Sequence, residues 1–115
     1  MPIKRNLPAA VTVSPAAQAT TNTYANCGVL DALYYQFVSF TIVNTHIANE
    51  IHWKVLGANQ SDFSDAVELK AEADVAAAAS DSYSTTAAVW RYYKVQVQSG
   101  APDTPGTAVV RGVTK

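Results

Sequence analysis

The chain has 115 residues, enough for one domain, and eight Lys and Arg stand against nine Asp and Glu for a formal net charge of −1. Charged residues make up 15% of the sequence, below the usual quarter. This balance excludes a dense basic surface of the kind that binds nucleic acid, and it favours an outer surface of small groups that faces other protein.

The single cysteine, Cys27, rules out an intrachain disulfide, and we expect it to be structural rather than reactive. No apolar run reaches the length of a membrane-spanning helix. Pro8, Thr12 and Pro15 interrupt the N-terminal apolar stretch, which argues against a cleaved signal peptide.

Residues 1–26 are predicted to form an extended arm, because three prolines push each preceding residue towards extended geometry. Such a segment cannot fold alone, so it is either disordered or laid along a neighbouring protein. A folded domain is expected over residues 27–115. The arm side chains predicted to contact protein are Ile3, Leu7, Val11, Val13 and Tyr24.

Residues 33–44 carry the strongest strand signal, because β-branched and aromatic residues dominate and both faces carry bulky side chains. We expect this strand to be central in its sheet or packed on both sides. Residues 44–49 are predicted to form a turn, and 50–56 a second strand that forms a hairpin with the first. The inward positions of the second strand are Ile51, Trp53 and Val55.

Residues 66–79 leave two alternatives open. Their Ala, Glu, Leu and Lys content is typical of a helix, whereas apolar and charged residues alternate strictly from Val67 to Val75, as in a strand. We favour one or two strands. Residues 80–86 are predicted to be a polar connection.

Residues 89–98 and 107–113 are the last predicted strands. In the first of them Trp90 and Tyr92 fall on the outward face, where aromatic side chains contact protein or stack on a sugar unless a second layer covers them. Several strands separated by turn signals predict an all-β chain folded as a single antiparallel β-sandwich. The inward positions are Tyr93, Val95 and Val97.

The sequence contains no glycine-rich phosphate loop, no nucleophile elbow and no paired metal-ligand motif. His46 and His52 stand six positions apart across a turn, and Asp62 and Asp65 lack the spacing of a calcium loop. We therefore predict a non-enzymatic protein with no catalytic residue, no cofactor and no metal ion.

Four segments, FVSFTIVNT, EIHWKVLGANQSDFSD, AEADVAAAAS and WRYYKVQVQS, resemble small virion proteins of tailed bacteriophages, over about residues 33–113. They also resemble discoidin-like jelly-roll sandwiches. The framing cysteines of secreted discoidin domains are absent, which argues against an extracellular lectin. The positions that match the discoidin pattern are Trp53, Gly57, Asn59, Arg91, Tyr92 and Tyr93.

The phage resemblance implies a virion structural protein of the head decoration or cement type, made in the host cytoplasm and placed on the capsid surface. Its implied partners are the major capsid protein or other virion proteins, and further copies of itself in a homo-oligomer; no nucleic acid and no membrane are expected. Two alternatives stay open. One is a tail or fibre module that recognises host carbohydrate through Trp90, Tyr92 or the loop 57–65, and the other is a neck or tail-completion protein.

Overall fold

A computed structural model describes the backbone of residues 10–13 and the whole of residues 17–115. Within these ranges no helix is long and apolar enough to cross a membrane. The regular elements are β-strands. Their bounds are β1 (Ala10–Val13), β2 (Gln18–Ala19), β3 (Ala25–Asp31), β4 (Val38–Asn44), β5 (Ile51–Ala58), β6 (Val67–Val75), β7 (Ser80–Thr85), β8 (Tyr92–Ser99) and β9 (Thr107–Thr114).

The strands form two antiparallel sheets. Sheet A has the order β1-β9-β4-β7, with β2 also paired to β9, and sheet B has the order β3-β8-β5-β6. Since β4 occupies one side of β9, β1 and β2 share the other side as two segments of one strand position. From β2 onward the chain changes sheet at every connection except β5 to β6. When β1 and β2 are counted as one strand position, each sheet has four positions and the order is that of a jelly roll. The predicted antiparallel β-sandwich is confirmed.

The core lies between the sheets and follows the predicted alternation. The inward residues predicted for β5 and β8 are buried, and Val38, Phe40 and Ile42 of β4 meet them from the other sheet. Burying each side chain of this size stabilises the fold by about 1.5–3 kcal/mol. Cys27 of β3 lies in the same core.

The predicted hairpin between the second and first strands is wrong. β4 pairs with β7 and β9 in sheet A, whereas β5 pairs with β6 and β8 in sheet B. Residues 45–50 therefore carry the chain across the sandwich, so the bulky inward side chains of the two strands face each other through the core. The first strand also begins later than predicted, because Tyr35 donates its backbone N–H to Ala32 at 2.9 Å in a preceding turn.

The strand alternative for residues 66–79 is confirmed by β6. The connection predicted at 80–86 is instead mostly strand β7, which pairs with β4 over Val38–Val43. Strand β7 lies at the edge of sheet A and alternates three outward serines with the half-buried Asp81, Tyr83 and Thr85. The absence of aliphatic residues explains why its pattern does not resemble that of a strand.

The predicted arm takes part in the sandwich. Residues 10–13 pair with Arg111–Thr114 of β9, and β3 begins at Ala25, so the expected boundary after residue 26 falls inside a strand. Thr20 is buried and forms two hydrogen bonds with Gly106. The Thr20 backbone N–H donates to the Gly106 carbonyl oxygen at 3.0 Å, and the Gly106 N–H donates to the Thr20 hydroxyl at 2.8 Å. The physical reason is that β9 needs a partner on its second side, and this segment supplies the backbone hydrogen bonds. The side chains of Ile3, Leu7, Val11 and Val13 lie outside the described residues.

Candidate functional site

The outer face of sheet A is nearly free of charge. Among the described residues of β4, β7 and β9, the charged side chain that points outward is Arg111, which is exposed. Val43, two positions along β4 from Thr41, which faces Arg111, is 40% exposed. A face with so few charges avoids the large cost of removing charged groups from water, which suits burial against another protein. The other outward residues are Ser39, Thr41, Ser80, Ser82, Ser84, Thr107, Val109 and Val113.

The outer face of sheet B is charged. Lys54 of β5 lies 3.9 Å from Glu68 of β6, measured from Nζ to Oε2. Arg91, just before β8, pairs with Asp31 at the end of β3, with 3.3 Å between the two charged groups. Between these pairs β8 presents Lys94, Gln96 and Gln98. The molecule therefore has two chemically unlike faces.

The two aromatic residues predicted for surface contact have different surroundings. Trp90 precedes β8, packs against the core and donates its backbone N–H to the Tyr93 hydroxyl at 3.2 Å. Tyr92 lies on the outer face of sheet B, with its ring centroid 6.2 Å from that of Phe63. Trp90 is thus held as a packing residue, whereas Tyr92 shares a corner with the loop 57–65.

Two cations complete this corner. The Arg91 guanidinium lies 4.9 Å from the Tyr92 ring centroid, and the Lys94 ammonium lies 4.2 Å from that of Phe63. Burial lowers the pKa of Lys94. The corner combines two aromatic rings with two hydrogen-bond donors.

The carboxylates of the loop 57–65 hold the loop itself. Asp65 accepts the backbone N–H groups of Asn59 and Gln60 at distances of 3.1 Å. Asp62 accepts the N–H of Ser64 at 3.0 Å, and this hydrogen bond lowers the pKa of the Asp62 carboxyl. The Asp62 bond is that of an Asx turn, whereas the Asp65 bonds tie the end of the loop to its start.

The two histidines have different roles. His46 Nδ1 accepts the backbone N–H groups of Ala48 at 3.0 Å and Asn49 at 2.9 Å, and so closes the loop after β4. His52 instead points outward from β5, with its side chain 18% exposed, into a group of carboxylates.

Three carboxylates surround His52. Its Nε2 lies 2.9 Å from Asp74 Oδ1 and 3.9 Å from Glu50 Oε1, and its Nδ1 lies 3.6 Å from Glu72 Oε2. The register of β5 and β6 pairs His52 with Asp74 directly. We call Glu50, His52, Glu72 and Asp74 the His52 cluster.

Tyr24 supports this cluster from the N-terminal segment. Its hydroxyl donates a hydrogen bond to Glu72, and Lys54 Nζ lies 4.2 Å from its ring centroid. Burial and the Glu72 hydrogen bond raise the pKa of Tyr24. The structure thus places this predicted arm contact on the chain's own sheet B.

A surface depression of about 270 Å³ adjoins the cluster. His52 and Glu72 form part of its wall, together with Asn22 and Gln98. Sequence reasoning missed this grouping, because Asp74 and His52 meet only through strand pairing. The alternation of the sequence predicts that His52 and the acidic residues of β6 point outward, but it does not predict that β5 pairs with β6.

No protein-family model matches the sequence. No curated protein is significantly similar to it in sequence either. The comparisons therefore concern the fold.

Three solved structures share this fold across most of the chain. A protein of the Bacillus endospore appendages, described as a novel family of disulfide-linked pili, has a TM-score of 0.58 at 11% identity, covering 93% of this chain and 85% of that one. The PBSX exported protein XepA has a TM-score of 0.67 at 13% identity and covers 91% of this chain, which spans 36% of XepA. The SPBc2 prophage-derived protein YomS has a TM-score of 0.58 at 9% identity, covering 93% and 92%. At these identities the likeness is one of fold.

Proposed function

We propose that this chain is a non-enzymatic structural protein of a phage particle, and that it decorates or cements the capsid through the outer face of sheet A. The observation that carries the proposal is the chemistry of that face, where outward Ser, Thr and Val side chains surround the exposed Arg111. The fold likeness to the prophage-derived YomS supports the phage setting. The partners proposed are the major capsid protein or other virion proteins, with further copies of the chain in a homo-oligomer.

The self-paired N-terminal segment moves the proposed contact from the arm to the sheet. Residues 10–13 bond to the chain's own β9 and Tyr24 to its own Glu72, so these groups are already occupied within one molecule. The outer face of sheet A is uncovered by the described residues. We therefore assign the main contact to this face.

The experiment introduces charge into the face and counts copies in the particle. Ser80→Glu and Ser84→Glu each place a carboxylate at an exposed position of β7, which lies on the side of β4 away from Arg111 of β9. A carboxylate desolvated without a partner opposes docking, so we expect at least about tenfold fewer copies per particle, equivalent to about 1.4 kcal/mol. Copy number is measured by quantitative mass spectrometry on particles of the phage or prophage that encodes the chain.

Gln96→Glu on sheet B is the matched control, and it should enter particles at the level of the unaltered protein. Equal incorporation of all three variants would contradict docking through sheet A. Absence of the unaltered protein from the particle would overturn the virion proposal. On the order of hundreds of copies agrees with decoration, whereas about six or twelve copies would place the protein at the neck or tail.

A second candidate function is carbohydrate recognition by a tail or fibre module. The observation that favours it is the corner where Tyr92 and Phe63 lie with centroids 6.2 Å apart beside two cations, since sugars stack on aromatic rings and accept hydrogen bonds from such donors. A glycan array should then show binding that Tyr92→Ala abolishes and the sheet A variant Ser84→Glu leaves unchanged. An array without signal, or a signal that survives Tyr92→Ala, excludes this function. Tyr92 is the better probe than Trp90, because Trp90 packs against the core.

A further inference from the structure

We propose that Glu50, His52 and Asp74 bind one divalent transition-metal ion, with Zn²⁺ as the representative case. Their ligand atoms, one imidazole nitrogen and two carboxylate oxygens, lie within 4.8 Å of one another. Ligands at the usual Zn–N and Zn–O distances stand about 3.3 Å apart around a tetrahedral ion. The observed 2.9 Å and 3.9 Å from His52 Nε2 to Asp74 and Glu50 bracket that value. Closing the site requires rotation of the exposed Glu50 and Asp74 side chains.

The second nitrogen of His52 faces a carboxylate, as metal-binding imidazoles usually do. Nδ1 lies 3.6 Å from Glu72 Oε2, and Tyr24 donates a hydrogen bond to the other oxygen of Glu72. When a metal ion binds Nε2 in place of the hydrogen bond to Asp74, the imidazole N–H lies on Nδ1, and Glu72 is placed to accept it. Glu72 and Tyr24 therefore act as positioning residues.

The charge around His52 favours a cation. Three carboxylates surround one imidazole, and the nearby Lys54 lies 3.9 Å from a different carboxylate, that of Glu68. His52 Nε2 lies within hydrogen-bond distance of Asp74 Oδ1, so a metal ion bound between them would replace this hydrogen bond.

The site joins separate parts of sheet B. Glu50 precedes β5, His52 lies on β5 and Asp74 lies near the end of the edge strand β6. The adjoining depression is lined by His52 and Glu72 together with Asn22 and Gln98. A bound ion would cross-link the edge strand to its neighbour and so raise the melting temperature by linkage.

Isothermal titration calorimetry of the isolated full chain with ZnCl₂ tests the proposal. We expect one ion per chain. His52→Gln and Asp74→Asn should each weaken binding by at least about tenfold, and Glu72→Gln by roughly tenfold as a positioning residue. The matched control is Glu68→Gln, which removes a carboxylate from the same strand outside the three ligands and should change affinity less than about twofold.

Two further readouts separate coordination from general stability. Proton–nitrogen NMR should show the Zn²⁺-dependent shift at His52 Nε2 and none at His46. Zn²⁺ should raise the melting temperature of the unaltered chain and of Glu68→Gln, but not that of His52→Gln. The melting temperature of His52→Gln in EDTA shows whether this variant is folded. Failure of the unaltered chain to bind Zn²⁺, equal affinity of His52→Gln, or a shift confined to His46 would each overturn the site. Because the assay uses the isolated chain, these outcomes are independent of particle incorporation.

Discussion

At the scale of single residues, Asn44 is the polar group on which the crossing between the sheets depends. Its side chain is fully buried and donates hydrogen bonds to Asn49 O at 2.7 Å and Val75 O at 3.1 Å. Its Oδ1 accepts the backbone N–H groups of His46 at 3.0 Å and Thr107 at 3.5 Å. One amide thus ties the loop after β4 to the end of β6 and the start of β9.

Asn44→Ala should lower the free energy of unfolding by about 3 kcal/mol, because it leaves several backbone groups without a partner in a buried place. The adjacent Thr45→Ala is the control, since Thr45 bonds Thr107 through its hydroxyl at an exposed position, and its cost should stay below about 1 kcal/mol. Urea denaturation at neutral pH measures both. Equal costs would mean that the Asn44 hydrogen bonds add little beyond those of the surface.

At the scale of elements, the N-terminal segment acts as an edge strand. Strand β1 covers β9 over Arg111–Thr114, and β2 covers Thr107 and Ala108. An uncovered edge presents unpaired N–H and C=O groups to other chains. The segment therefore completes the fold and also limits association of β9 with neighbours.

Deletion of residues 1–13 should lower the melting temperature and make the protein self-associate, because it removes β1 and opens one side of β9. Deletion of residues 1–9 keeps β1 and serves as the control. Differential scanning calorimetry and sedimentation velocity measure the two effects, and a peptide of residues 1–17 added in excess should reverse them. Identical behaviour of the two deletions would show that β1 contributes nothing to the edge.

Strand identity was predictable where one face of the strand is buried. The alternation of Ile51, Trp53 and Val55 is local in sequence and survives in the structure, because a period of two follows directly from strand geometry. Strand β7 escaped prediction, since an edge strand with serines on one face carries no such contrast. Partner choice was not predictable for β4 and β5, because their pairing joins residues far apart in sequence.

For the candidate sites too, the outward orientation of a side chain was predictable and its cross-strand neighbours were not. Tyr92 was placed on an outward face by parity alone, and it lies half-buried on the outer face of sheet B. The meeting of His52 with Asp74 depends on the β5–β6 register, which includes two irregularities between Trp53 and Leu56. No local pattern fixes such a register.

At the scale of the whole molecule, the outer faces of the two sheets differ in their chemistry. Sheet A offers small uncharged groups and sheet B offers ion pairs, so one side suits a permanent protein contact and the other suits water. In the proposed attachment through sheet A, the His52 cluster and the Tyr92 corner would face away from the particle.

The pairing of β1 with β9 also governs the order of folding. Ala10 lies opposite Thr114, so the edge of sheet A cannot close until nearly all of the described chain has been synthesised. Such distant pairings make folding slow, on the order of milliseconds to seconds. During that interval each chain presents an unpaired first strand and then an open β9 to its neighbours. Crowded nascent chains can therefore exchange first strands, and the concentration at which the protein is made becomes a determinant of whether it emerges as a monomer or as a strand-swapped pair.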